Sequence, residues 1–160
     1  MILEEQYKEA VKEVEFLVKM QAQTLKGFGW SYYTTDDAPE SFEKLKERTR
    51  KMIIPIADYG NETSIYSSSS INTLFRFWHD VLHLENNLDF SYTSEMKVAN
   101  LHLETAKYFN LSSLALEILA ADTKGQVQYY FRHNEFVSNQ EAFVQSCINY
   151  SIKTAIKFKH

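Results

Sequence analysis

The sequence predicts an all-α fold, a single domain of about six helices spanning residues 1–160. Three observations carry that expectation. Apolar residues recur at helical spacing through most of the chain, helix breakers are few (four Gly and two Pro), and no segment shows the strict alternation of a half-buried strand. With 160 residues, 44% of them hydrophobic and 14% aromatic, the chain can bury one core without metal or disulfide staples.

The first helix is read from Leu3, Tyr7, Ala10, Val14, Leu17, Val18 and Leu25, which share one face, and it ends near Gly27 and Gly29. Residues 32–39 read as a loop, and residues 40–51 as a charged, mostly exposed helix before Pro55. Residues 55–70, with Gly60, Asn61 and the serine run Ser67 to Ser70, read as irregular, and loops of that length are often functional. The serines offer an N-cap to a helix whose apolar stripe, Ile71, Leu74, Phe75, Trp78, Val81 and Leu82, runs out at Glu85, Asn86 and Asn87. Thr93 or Ser94 is expected to cap the next helix, which carries Met96, Ala99, Leu103 and Ala106 and ends near Asn110. Another helix runs from Ser112 or Ser113 to about Arg132, with Gly125 as its weak interior point. Asn139 opens a last helix through Phe143, Cys147, Ile148, Ile152 and Ile156.

Charge and composition exclude several classes. Seventeen Lys and Arg against 21 Asp and Glu give no general hold on a nucleic-acid backbone, so no nucleic-acid partner is expected. The lone Cys147 cannot close a disulfide within the chain and reads as a core residue of a reducing compartment. The amino terminus lacks a basic stretch followed by an apolar one, and no run approaches the roughly 18 apolar residues of a membrane span. A cytoplasmic protein is the expectation. Peripheral membrane contact through the Lys8, Lys12 and Lys19 side of the first helix, and a homo-oligomer, stay open.

The five His are unevenly placed, none of them before residue 79. His79 and His83 stand four residues apart and project from one helix face, the spacing that lets two imidazoles share a metal ion. Asp80, turned by about 100° on the same helix, would bind the ion or orient a ligand. Glu95 opens the following helix, where an antiparallel return would bring its carboxylate over the His pair. His102, on the same face as Glu95, would be a fourth ligand or a hydrogen-bond partner of Glu95. Two neutral His and one or two carboxylates leave coordination positions open for a ligand oxygen, and the divalent metal expected first is zinc, with iron, manganese and magnesium as alternatives. Arg76 would neutralise Asp80 or hold an anionic group, and Asp122, Gln126 and Tyr130, spaced i, i+4 and i+8, would lay a polar stripe over the metal. The plainer readings are a chance His pair, satisfied core histidines and solvated helix faces.

The run His79-Asp80-x-x-His83, then eleven residues, then Glu95 resembles the metal-ligand motif of the coenzyme Q (ubiquinone) biosynthesis protein 4 family, H-D-x-x-H-x11-E. The resemblance covers about residues 70 to 120, with Arg76 before the motif and a turn, Asn110-Leu111-Ser112, similar to the Gly-Leu-Pro turn of the family. It implies a short, divergent member with an all-α fold and a divalent metal on His79, Asp80, His83 and Glu95 as the catalytic set. It further implies an isoprenoid-tailed aromatic ligand, and removal of the ring carboxyl with hydroxylation of that carbon, or a scaffolding role for such enzymes. Two other functions stand beside it: a non-catalytic interaction protein with a structural metal, and a metal phosphohydrolase of the His-Asp type. The second needs a His upstream of the His-Asp pair, and none precedes His79.

Overall fold

A computed structural model describes residues 2–160. In chain order the elements are α1 (Glu4–Gly27), β1 (Ser31–Thr35), α2 (Phe42–Arg48), β2 (Ile53–Ala57), α3 (Ser69–Asn86), α4 (Tyr92–Tyr108), α5 (Ser113–Ala120), a π-helical turn (Ala121–Gly125), α6 (Gln126–His133), α7 (Gln140–Tyr150) and α8 (Ile152–Ala155). The fold is all-α, with one two-stranded parallel sheet as its only other regular structure among the described residues. None of these helices is long and apolar enough to cross a membrane.

The long amphipathic α1 lies against α3 and α5. Val14, Leu17 and Val18 of α1, all at 0% exposure, meet Trp78, Ile118 and Leu119 in the main core. The segment α5, π turn and α6 runs without a break and joins α4 on one side to α7 on the other. Most ends carry the caps that orphan backbone groups require: Ser41, Ser68, Ser91, Ser112 and Asn139 each accept a backbone N–H of the first turn.

Five expectations are corrected. Residues 31–35 are a strand rather than loop, paired in parallel with β2 in the register Ser31↔Ile53 to Thr35↔Ala57. Residues 55–57 likewise leave the irregular stretch as the end of β2, because Ile54 and Ile56 bury against Phe77 and Val81 of α3. The charged helix stops at Arg48, since Lys51 and Met52 take positive φ (49° and 62°) to turn the chain into β2. The last helix breaks at Ser151, where φ is 121°. The cap of α4 is Ser91 rather than Thr93 or Ser94, and its own N–H and Oγ are tied to Asp89. Glu95 consequently closes the first turn of α4, where the helix dipole favours a carboxylate.

Gly125 ends the π turn in tight contact with α7: a Cβ there would lie 3.2 Å from Phe143 Cε1 and 3.6 Å from Cys147 Sγ. Phe143 is itself enclosed by Tyr129 and His160 and has little room to move. Overpacking costs about 1–3 kcal/mol, against a helix-propensity gain of about 1 kcal/mol for Gly→Ala. Gly125→Ala is therefore expected to lower stability by about 1 kcal/mol in urea denaturation, and a more stable variant would show that α7 gives way freely.

Candidate metal centre

Helix α3 ends where Asn87 adopts the left-handed conformation (φ 49°) that side chains with a short amide tolerate. The turn locks onto His83 twice. Leu88 N–H donates to His83 C=O at 3.0 Å, and His83 Nδ1 lies 2.8 Å from Leu88 C=O. A carbonyl only accepts, so Nδ1 carries the proton and the neutral ring keeps its Nε2 lone pair free.

His79 is oriented by a second imidazole. Its Nδ1 lies 3.1 Å from Nε2 of His102, which α4 presents from a fully buried position. Burial, with the positive charge that protonation would put on His79 or His83, holds His102 well below the usual imidazole range, so it is neutral and one proton is shared between the two rings. When that proton sits on His79 Nδ1, His79 Nε2 is free to bind. His102 then carries its own proton on Nδ1, which is buried without a partner. The His102 ring stands at 85° to Trp78, with centroids 4.2 Å apart, so its surroundings are aromatic.

The two Nε2 atoms face each other at 3.1 Å, and Glu95 Oε2 lies 3.3 Å from that of His79 and 3.4 Å from that of His83. All the donor atoms of this trio fall within 4.8 Å of one another. Two ligands of a tetrahedral zinc at the usual bond lengths of about 2.0–2.1 Å stand about 3.3–3.4 Å apart. The donor separations here are close to that spacing, so the set fits an ion with three protein ligands. Phe75 borders His79 and His102, and Phe90 stands edge-on to His83, giving the cluster apolar walls.

Burial opposes charge on Glu95, but hydrogen bonds and charge from His79 and His83 outweigh it and hold the carboxyl well below its usual range. Burial also works against a charged His79, yet the hydrogen bond and charge of Glu95, with Asp80 behind them, shift it upward. The result is a preformed anion between two imidazoles, an arrangement that attracts a cation.

The other candidate residues fall into place around this trio. Asp80 stays outside the group of converging donors and lines the adjoining cleft, where burial pushes its carboxyl up to about 6. His102 bonds His79 rather than Glu95. Arg76 makes no ion pair with Asp80 among the described residues; its guanidinium donates to the carbonyls of Ala57, Tyr59 and Gly60 at 3.0, 2.7 and 3.0 Å and fastens α3 to the chain after β2. Asp122 and Gln126 are hydrogen-bonded to each other, Nε2 to Oδ1, at 2.6 Å. Together with His79, Glu95, Phe75 and Tyr130 they line a cavity of about 380 Å³. A larger cleft of about 860 Å³ shares His79, Glu95, Gln126 and Tyr130 with it and reaches Arg76 and Asp80. Sequence reasoning missed Leu88, whose part is played by its backbone, and Tyr66, whose hydroxyl reaches Asp122 Oδ2 at 3.5 Å. The His79–His102 contact had a signal: a His between Leu101 and Leu103 on the face of α4 that carries Glu95.

Burial also raises Asp122 from 3.8 to about 6, with the Gln126 and Tyr66 hydrogen bonds pulling the other way. A carboxyl raised in the folded state favours folding while protonated and loses that contribution as pH rises through about 6. Asp122→Asn keeps the Oδ1 acceptor for Gln126. It is expected to be more stable than wild type by roughly 1–3 kcal/mol at pH 8 and about equal to it near pH 4. Denaturation at the two pH values checks this, and an equal difference at both would show that charge is not the cause.

Compared with models of protein families, with curated proteins and with solved structures, the chain matches none.

Proposed function

We propose that this chain is a divalent-metal-binding protein in which His79, His83 and Glu95 hold the ion and leave coordination positions open toward the adjoining cavity. The observation that carries the reading is the convergence of three donors, not four, on one point. His102, the nearest further imidazole, is bonded behind His79. Structural zinc sites close with four protein ligands, and sites with three serve ligand capture or chemistry. The donor set of two nitrogens and one oxygen suits zinc first, with iron and manganese as alternatives. When bound, such an ion supplies Lewis-acid stabilisation of a ligand oxygen.

The chain's own residues do the rest. Leu88 and His102 hold the imidazoles in the tautomers that bind, and Phe75 and Phe90 keep water from their flanks. The cavity falls within the usual size range of small-molecule sites, about 300–1,000 Å³. Tyr130, Phe131 and Phe136 line it and Phe136 is exposed, so its lining favours a hydrophobic or aromatic ligand. The motif's resemblance to the coenzyme Q biosynthesis protein 4 family extends this reading to an isoprenoid-tailed aromatic acid whose ring carboxyl is removed and whose ring carbon is hydroxylated.

Protein freed of metal and then dialysed with zinc is expected to retain one ion per chain by elemental analysis. His79→Ala and Glu95→Gln should lose at least about tenfold in affinity with unchanged helical circular dichroism. Asp80→Asn should keep the ion. Wild-type protein that retains no stoichiometric zinc, iron or manganese would overturn the reading.

A further inference from the structure

The π turn puts a carboxyl group where a packing role does not account for it. Asp122 is 7% exposed and sits mid-helix, so it caps nothing, and no Lys or Arg pairs with it among the described residues. An uncompensated buried carboxylate works against stability. Yet this one is held in place by Gln126 at Oδ1, while Oδ2 has only the long Tyr66 contact. Its side chain lines the same cavity as His79 and Glu95. Single π turns inside α-helices are frequent at functional sites, where the extra residue re-aims side chains.

We propose that Asp122 is the proton acceptor of this cavity: a hydroxyl-bearing ligand seated between Asp122 and the His79–His83–Glu95 cluster transfers its proton to the Asp122 carboxylate. The inference rests on the reading of that cluster as a metal site and adds to it the group that takes the proton. In the step the ligand O–H bond breaks, its electron pair stays on the ligand oxygen, and a new O–H bond forms at Asp122. The ligand becomes an anion facing the cluster, and Asp122 becomes a neutral acid that still accepts from Gln126. No oxidant or further reactant is involved.

The surroundings support that assignment. The groups facing Asp122 are Gln126 from α6, Tyr66 from the segment before α3, and, across the cavity, His79 and Glu95. Its charge is also felt at Tyr7 of α1, and Glu15 of α1 and Glu141 of α7 act on the same tyrosines. None of these except His79 can bring a positive charge, so the neutral acid is favoured and the carboxylate is a stronger base than one in water, with a midpoint at about 6. At pH 8 it is ionised and ready to accept.

Cobalt(II)-loaded protein and acetohydroxamic acid, which loses one proton on chelation, provide the test. Binding is followed by the visible cobalt spectrum, and proton release by calorimetry at pH 8 in two buffers of different ionisation heat. Wild type is expected to release about zero protons per ligand bound, because Asp122 retains the proton, and Asp122→Asn about one. Asp122→Ser takes the place of Asp122→Asn if that variant does not fold. Equal proton counts in wild type and variant overturn the assignment of Asp122, as does cobalt-loaded wild type that takes up no acetohydroxamate. Failure to load cobalt is a separate result: it overturns the metal reading itself and this inference with it.

Discussion

The chain reversal between α3 and α4 is the constraint on which the cluster depends. Asn87 takes the left-handed conformation, and Leu88 then returns both of its main-chain groups to His83, the N–H to the backbone and the C=O to the imidazole. The residue that terminates the helix contacts is thus also the one whose ring must be aimed. From there Asp89 fixes Ser91, Ser91 caps α4, and one turn later Glu95 arrives opposite the two Nε2 atoms. The eleven residues between His83 and Glu95 are the length of one helix end, one tight turn and one helix start. A change in that number would rotate Glu95 by about 100° per residue away from the imidazoles.

The second support is the buried contact between His79 and His102. Two neutral imidazoles can share a single proton in either direction, and the direction decides whether His79 offers a lone pair or an N–H to the cavity. An aromatic enclosure of Phe75 and Trp78 makes the contact strong and also leaves His102 Nδ1 unpartnered. The arrangement gives up some stability for orientation, and Asp122 on the facing wall does the same. The main core holds one further conflict of this kind, the buried hydroxyl of Tyr7 without a partner, while Val14, Leu17, Val18 and Phe143 are packed there without a polar atom to satisfy.

How much of this was legible in the chain depends on the range of the interaction. The His79, His83 and Glu95 spacing could be read directly, because helix periodicity and a short turn are local. The boundaries of α1 and α3 were legible for the same reason, through their stripes and their terminal Gly27 and Asn87. The strands were not. Ser31–Thr35 finds its partner 22 residues away, and the buried character of Ile54 and Ile56 is set by Phe77 and Val81, which belong to a later helix. Arg76 was read as facing an acid since the nearest charge in sequence is Asp80, whereas its real partners are three carbonyls that no side-chain pattern marks. Ser151 breaks the last helix without Gly or Pro, so nothing in the pattern announced it.

The packing around Gly125 bears on how the molecule opens. Cys147 lies against this glycine, buried, with its thiol pushed up to about 12 by desolvation. A thiol held in that form is a poor nucleophile, so alkylating reagents and oxidants reach it only when α7 lifts from the π turn. The protein therefore carries a single internal reporter whose rate of modification times the separation of α7 from the segment that bears Asp122, and no other thiol competes for the signal.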